Sequence, residues 1–384
     1  MRVLYFIFVS AGGKGGHFHS LNHISRVIGK DNPTIRIISF GREVPPILKK
    51  NPYFHKHLFF SKTKFFLFFY HLYKEIKNFN ADILHFFDAH SYNIFFPLSF
   101  IIRKKTVVNK CGGPNPLSYP IVPNLILFTE ENKEWFLTKK EFNNTKIKVI
   151  PNRVVEVETV KYKEYVKNAE VFTILRICRI GTTYYQSILN GIKLVKELSK
   201  RNFEVKFYVI GKVTEELEYK QLKNESEGFN IEFITKDKYT EEASKMLYLA
   251  DAVIGTGRSA MEACSLGLPT LMPSKQFDYP VLLTKSNFND YFIKNFTDRV
   301  LLNNIDQEEI LQIITNLLVD KDFYNNTSLF SKEVFKKHFD ITKSSERYLF
   351  FYKDLRNQRN GIKTLKVNAK RSLSTMYRVF KGHF

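Results

Sequence analysis

The chain has 384 residues, 44% of them hydrophobic and 25% charged, which suffices for two ordinary domains and excludes global disorder. Its 59 Lys+Arg against 38 Asp+Glu give a formal charge of +21, and 37 Phe and 20 Tyr accompany a single Trp. A basic, aromatic-rich chain points to an anionic ligand or surface, without choosing among nucleic acid, lipid headgroups and nucleotides. Cys111, Cys178 and Cys264 lie far apart with no Cys-x-x-Cys pair. That spacing argues against a disulfide framework or a structural zinc site, and fits a reducing cytoplasm.

Val3–Val9 is a short apolar run leading straight into glycines, and it reads as a buried strand rather than a signal peptide. The loop Ala11-Gly12-Gly13-Lys14-Gly15-Gly16 follows, then a helix near Phe18–Ile28 and a strand at Ile35–Phe40. Ile83–Phe86, Thr106–Val108, Leu125–Phe128 and Ile147–Ile150 are further predicted strands. Ile94–Ile102, the longest uncharged apolar stretch, contains Pro97 and falls short of the ~20 residues of a membrane span. The second half repeats the rhythm. Strand Val171–Leu175 precedes a helix around Ser187–Ser199, Val205–Ile210 and Ile231–Ile234 follow, and Ala252–Ile254 leads into a helix from about Ser259. Short apolar strands alternating with helices specify parallel sheets covered on both faces, so the fold class is α/β with two doubly wound Rossmann-like domains. The polar stretch Asn152–Lys167 is the predicted seam. This divides the chain into 1–155, 156–345 and a helical, basic tail at 346–384. Between Lys363 and Phe384 there are six Lys or Arg and no acid, while Leu365, Leu373, Met376, Val379 and Phe380 share one helical face. Such a segment reads as a membrane-surface helix, as a helix packed back on the first domain, or as a frayed basic tail.

Glycines between a first strand and a first helix let backbone amides approach an anion at the helix N-terminus, so Gly15 and Gly16 are candidate ligand contacts. The loop lacks both the Gly-x-Gly-x-x-Gly spacing and a Walker Lys-Ser/Thr pair. A second loop, Gly255-Thr256-Gly257-Arg258-Ser259, leads to Glu262. Ser259 with Glu262 fits a capping box; alternatively Arg258 meets a phosphate and Glu262 a ribose diol. In Arg176-Ile177-Cys178-Arg179-Ile180-Gly181, Arg179 stands at a strand end and suits a diphosphate. Asp320-Lys321-Asp322, the one Asp-x-Asp, follows a helical pattern and is a poor metal site.

Taken in order, Arg179, Val209-Ile210-Gly211, Ala250-Asp251, and Glu262-Ala263 ahead of Gly267-Leu268-Pro269 resemble the second domain of GT-B glycosyltransferases, most closely the retaining family 4 type (group 1). The glycine loop, Ile150-Pro151-Asn152 and Cys111-Gly112-Gly113-Pro114-Asn115-Pro116 resemble their first domain. The likeness spans most of residues 1–345. It implies two Rossmann-like domains facing a cleft, a nucleotide-sugar donor held by the second domain, and an acceptor held by the first. It implies a hexosyltransferase-type enzyme without cofactor and independent of metal, with Arg179 on the diphosphate, Gly257, Arg258 and Ser259 beside it, and Glu262 on the ribose. Ile254 stands where the family has the first glutamate of its pair, and Tyr184 where it has a lysine. Of a His-x-His only His85 is present, in His85-Phe86-Phe87-Asp88, so His85, Asp88 and Arg179 are the candidate catalytic residues, with His90 able to take the missing polar role. A lipid-linked or polysaccharide acceptor, an anionic membrane surface and a cytoplasmic, peripheral location in cell-surface glycan assembly follow as expectations. An epimerase of the same architecture and a non-catalytic glycan- or partner-binding protein are the alternatives. A nucleic-acid partner finds no helix-turn-helix, zinc finger or RRM signature.

Overall fold

The computed structural model describes the chain apart from residues 11, 14, 32–33, 304, 358–360 and 383–384. Ala11 and Lys14 of the glycine loop, and His383 and Phe384 of the tail, therefore lie outside the described residues. Two compact units divide the chain, Met1–Asn152 with Ile341–Phe384, and Arg153–Asp340.

The first unit is built on seven strands: β1 (Arg2–Val9), β2 (Thr34–Gly41), β3 (Phe54–Phe59), β4 (Ile83–Phe87), β5 (Lys105–Lys110), β6 (Asn124–Leu127) and β7 (Lys146–Val149). They pair in the order β3-β2-β1-β4-β5-β6-β7, every pair parallel. β1 is buried from Val3 to Val9, without a charged residue, because both of its faces are covered. Leu4, Phe6 and Phe8 enter one core and Val3, Tyr5, Ile7 and Val9 the other. Helix α1 (Gly16–Lys30) buries Phe18, Leu21, Ile24 and Ile28 at helical spacing. Helix α2 (Phe65–Phe79) buries Phe68, Leu72, Ile76 and Phe79, and helix α3 (Ala89–Phe95) follows β4. β3 has no counterpart among the predicted strands. It is an edge strand whose sequence, Phe-His-Lys-His-Leu-Phe, carries the polar residues an exposed edge tolerates.

The second unit has β8 (Phe172–Ile177), β9 (Val205–Ile210), β10 (Ile231–Ile234), β11 (Ala252–Ile254), β12 (Thr270–Met272) and β13 (Val281–Leu282), in the order β10-β9-β8-β11-β12-β13. All pairs are parallel except β12 with β13. β12 and β13, three and two residues long, are too short to show a pattern in the sequence. Helix α4 (Tyr185–Lys200) follows β8, and helix α5 (Arg258–Ser265) follows β11.

The C-terminal segment closes both faces of the first sheet. Helix α6 (Ser345–Lys353) places Tyr348, Phe351 and Tyr352 in the core that contains Tyr5 and Ile7. Helix α7 (Ile362–Lys381) places Met376 and Val379 in the opposite core. Leu365 and Phe380 pack against that same core, and of the five apolar residues of the predicted membrane-facing stripe only Leu373 stays exposed. Polar groups fix the seat. The Asn368 amide donates to Ile121 O at 2.8 Å and accepts from Ile121 N at 2.9 Å, and Asn93 donates to Thr375 Oγ1 at 3.0 Å. The apolar stripe is thus spent on the protein's own core rather than on a bilayer.

A buried chain of polar rings ties α6 to the sheet. Tyr5 and Tyr352 hydroxyls lie 3.0 Å apart, and the Tyr352 hydroxyl is 2.7 Å from His85 Nδ1. His85 is fully buried, and burial pushes its pKa down to about 3. The unfolded imidazole titrates near 6.5, so between those values the unfolded state binds the extra proton and stability falls as pH falls. We expect His85 alone to remove about 2 kcal/mol between pH 7 and pH 5. Urea unfolding of wild type and His85→Phe at both pH values checks this. A variant with the wild-type pH slope would refute it.

Candidate functional site

In each sheet the strand order reverses once, between β1 and β4 and between β8 and β11. At such a switch point the loops beyond the strands' carboxyl ends diverge to opposite faces and leave a crevice, the usual place for a ligand in an open α/β sheet.

In the first unit, the glycine loop leaves β1 and Asp88 leaves β4. Gly13 has φ +58°, and a Cβ there would lie 2.7 Å from Pro45 Cα, so this glycine is demanded by the turn itself. Gly15 is the N-cap of α1 and, being a glycine, supplies no side-chain cap, and among the described residues nothing lies within 4 Å of a Cβ added at Gly16. This is the end of the helix where the dipole favours an anion. Asp88 sits at φ +100°, a conformation that costs a non-glycine residue about 1–3 kcal/mol, and its Oδ1 accepts from Ser91 N at 2.8 Å. Burial pushes its carboxyl up, against the opposing pull of His90, His17 and Ser91. His17, in the first turn of α1, is pushed down by burial while Asp88 pulls it up. The structure therefore gathers Gly15, Gly16, Asp88 and His90 around one crevice and adds His17, which the sequence reading passed over. Its signal was available: it is the first side chain after the last glycine of the loop.

His85, one turn of the strand back, is placed elsewhere. Its ring lies among Tyr5, Phe87, Tyr348 and Tyr352, inside the core. Beyond β5, the buried Lys110 ammonium donates to Gly112 O at 2.5 Å, Gly113 O at 3.2 Å and Asn132 Oδ1 at 3.0 Å, holding the Cys111–Asn115 loop from below.

In the second unit, β11 ends in Gly255-Thr256-Gly257. A Cβ at Gly255 would meet Ala260 at 2.7 Å, so α5 packs directly on the loop backbone. Gly257 is left-handed at φ +50°, is the N-cap of α5, and donates to Phe296 O at 2.9 Å. The helix thus starts at Arg258, one residue before the predicted cap. Ser259 Oγ instead folds back and accepts from Thr256 N at 3.0 Å. Glu262 reaches not the backbone but Arg258, with Nε to Oε1 at 2.8 Å. The pair is mostly buried, and among the described residues Arg258 Nη1 has no hydrogen-bond partner. A polarised, oriented donor is left over. It stands at the N-terminus of α5.

The loop after β8 carries Arg179, which is exposed, and Tyr184 in the turn before α4. Glu215 accepts from both the amide and the hydroxyl of Thr182, and those two bonds, with the Arg179 charge, hold its carboxyl below the usual range. The unpredicted feature is Arg176. It lies inside β8, fully buried, and donates to Ile254 O at 3.0 Å, Ser187 Oγ at 3.0 Å and Thr256 Oγ1 at 3.2 Å. Its Nε has no partner, and among the described residues no carboxylate pairs with it. Arg176 therefore binds the β11 loop to the start of α4, and the Tyr184 ring lies 5.5 Å from its Cζ and 5.9 Å from that of Arg179. A lone arginine within an otherwise apolar run, Phe-Thr-Ile-Leu-Arg-Ile, was the signal in the sequence. A buried guanidinium lacking a counter-charge is costly, and an anion near it would relieve that cost. Asp320, by contrast, caps a helix at 321–334 through Phe323 N at 2.9 Å.

No family model and no curated protein matches the sequence. Solved structures do match. HepE of Anabaena, in complex with UDP and glucose, is 14% identical with a TM-score of 0.63, covering 91% of this chain and 98% of its own. A glycosyltransferase from Rickettsia africae is 14% identical with a TM-score of 0.64, covering 92% and 97%. The UDP-GlcNAc 2-epimerase of Neisseria meningitidis, bound to UDP-GlcNAc, is 12% identical with a TM-score of 0.53, covering 91% and 98%. With its two doubly wound sheets of mostly parallel strands and these neighbours over nine-tenths of its length, the chain has the GT-B fold of the glycosyltransferases.

Proposed function

We propose that the chain is a glycosyltransferase that moves a sugar from a nucleotide-sugar donor to a lipid-linked or polysaccharide acceptor, with anomeric retention. The observation that carries this is the cationic crevice of the second unit, where Arg176, Arg179 and Arg258 stand with the start of α5 around one switch point. The donor's diphosphate takes Arg179 and Arg258. Gly257 and Ser259 shape the backbone beside it, and Glu262 offers its second carboxylate oxygen to the ribose. As the sugar–phosphate bond breaks, negative charge grows on the diphosphate, and fixed guanidinium groups with a helix N-terminus stabilise it without a metal ion. In the first unit Gly15 and Gly16 let backbone amides approach the acceptor or the diphosphate, and Asp88 with His17 orients hydroxyls. His85 contributes by holding β4 beneath Asp88. The setting is the cytoplasmic face of a membrane in cell-surface glycan assembly, such as lipopolysaccharide or capsule.

One observation favours a second reading. Asp88, His17 and His90 form an acid–base group in the first crevice, as an epimerase requires. Incubation with a panel of UDP-, GDP-, ADP- and CMP-sugars separates the two. A transferase binds one donor class and, with acceptor present, releases free nucleoside diphosphate. An epimerase changes the sugar without acceptor, and a non-catalytic protein does neither.

Substitutions in the second unit are expected to separate binding from folding. Arg176→Met should leave the melting temperature equal or higher, because it removes a buried charge without a counter-charge, while nucleotide affinity drops about tenfold or more. A lower melting temperature with unchanged affinity would make Arg176 structural only. Glu262→Ala should weaken nucleotide binding by roughly 1.5–3 kcal/mol, through the ribose and through release of Arg258. Isothermal calorimetry of each variant with the free nucleoside diphosphate reads both effects. Activity should persist in excess chelator. Complete loss that Mn²⁺ or Mg²⁺ restores would overturn the leaving-group chemistry.

A further inference from the structure

The structure joins two segments that are far apart in sequence into one surface. Phe380, near the end of α7, lies against Phe60 at 5.4 Å and Phe65 at 6.1 Å between ring centroids. Arg42, which follows β2, donates to Val379 O at 2.6 Å. The C-terminal turns of α7 and the N-terminal turns of α2 thus meet just beyond the carboxyl ends of β2 and β3. Their outward sides are apolar and basic. Phe66 is 86% exposed and Leu67 51%, with Phe59 and Tyr70 also exposed. On α7, Lys370, Leu373, Tyr377 and Lys381 follow one another at helical spacing on the exposed side, and Lys381 Nζ lies 6.0 Å from the Tyr377 ring.

Charge at this corner has one sign. Residues 59–74 hold Lys62, Lys64 and Lys74 and no acid, and residues 361–382 hold six Lys or Arg and no acid. The flanking acids are already engaged, Glu43 with Gly12 N at 3.0 Å and Glu75 with His55 and Lys56 at 3.0 and 2.8 Å. A largely exposed Phe beside an aliphatic Leu, ringed by lysines, matches a bilayer interface with anionic headgroups, where apolar side chains enter the acyl boundary and ammonium groups stay among phosphates. A nucleic acid would use the lysines and the rings but has no seat for Leu67.

We propose that the composite face of α2 and α7, led by Phe66, Leu67, Tyr70 and Tyr377, is the docking surface for an anionic lipid bilayer. It lies on the edge of the sheet that also carries Asp88 and the start of α1. β3 stands two strands from β1, roughly 10 Å at the usual strand spacing, so a headgroup leaving the bilayer meets the first crevice within a short reach. The inference rests on the membrane association proposed above and differs from it in naming the face. The apolar stripe of α7 is buried in the core, and its opposite side is the one that docks.

The test uses the full chain and vesicles with and without phosphatidylglycerol, and needs no donor or acceptor. Wild type should sediment with the phosphatidylglycerol vesicles and not with pure phosphatidylcholine. Phe66→Ser with Leu67→Ser, both at exposed positions, should weaken that binding about tenfold with an unchanged melting temperature. In a Trp135→Phe background, Phe66→Trp should show blue-shifted emission, quenched by brominated lipid. If wild type binds neither vesicle, membrane association and this face both fail. If wild type binds and the double serine variant binds equally, or Phe66→Trp emission stays that of a solvated indole, the face alone is wrong. Binding that salt abolishes and the apolar substitutions leave untouched would indicate a polyanion site and overturn the proposal.

Discussion

Parallel strands covered on both faces leave polar chemistry little room except at the strand ends, and the rest of this molecule follows from that constraint. β1, β4, β8 and β11 are buried, so past Arg2 their residues before the carboxyl ends are apolar or hydroxyl-bearing, and the two nitrogen bases among them mark different solutions. His85 in β4 remains neutral, its hydrogen bond to Tyr352 spent on anchoring α6. Arg176 in β8 carries a charge that burial cannot remove, since a guanidinium keeps its proton in proteins. One is a structural tie. The other leaves an uncompensated charge beside the crevice, and the two cases show why position in a strand does not by itself identify a catalytic group.

Around the second crevice every cation has a restraint. Glu262 holds Arg258 through Nε and leaves Nη1 over, Tyr184 lies beside both Arg176 and Arg179, and Glu215 feels the Arg179 charge while it occupies the Thr182 amide. Fixed groups of this kind lose little freedom when an anion arrives, which is how preorganised sites gain affinity and stabilise developing charge. The first crevice is arranged otherwise. It offers backbone amides, one strained carboxylate raised by burial, and two imidazoles, a set suited to neutral hydroxyls more than to a diphosphate.

Much of the architecture was legible in the sequence because buried parallel strands write themselves as unbroken apolar runs. Ten of the strands could be read so, from Val3–Val9 to Ala252–Ile254. β3 escaped because an edge strand alternates with His and Lys, and β12 and β13 because three and two residues make no pattern. The site was legible as loops and not as contacts. Spacing pointed to Gly257, Arg258 and Glu262, but only coordinates show that Glu262 turns to Arg258 rather than to the helix amides. The tail stayed open among three readings for a physical reason, and the structure selects the helix packed back on the first unit. An amphipathic stripe states that a face is buried, never what buries it, and Met376 and Val379 chose the core of their own unit.

Residue 184 is a tyrosine where the resemblance leads one to expect a lysine, and its ring has a physical consequence. A lysine there would add a cation at the end of a flexible stem. Tyr184 adds none, but its ring presents a negative face within 6 Å of two guanidinium carbons, each contact contributing about 0.5–2 kcal/mol depending on exposure. Two like charges brought together would repel by about 4 kcal/mol at 4 Å for an effective dielectric of 20. A shared ring between them offsets part of that repulsion. The ring is shared by two guanidinium groups, the exposed one of Arg179 and the buried one of Arg176. The charge of Arg176 is delocalised and permanent, and its hydrogen bonds to Ile254 and Thr256 tie it to the very loop that presents Arg258. A lysine in the same buried position would lose its proton far more readily. The tyrosine and the buried arginine thus form one arrangement, in which a single ring lies against both guanidinium groups.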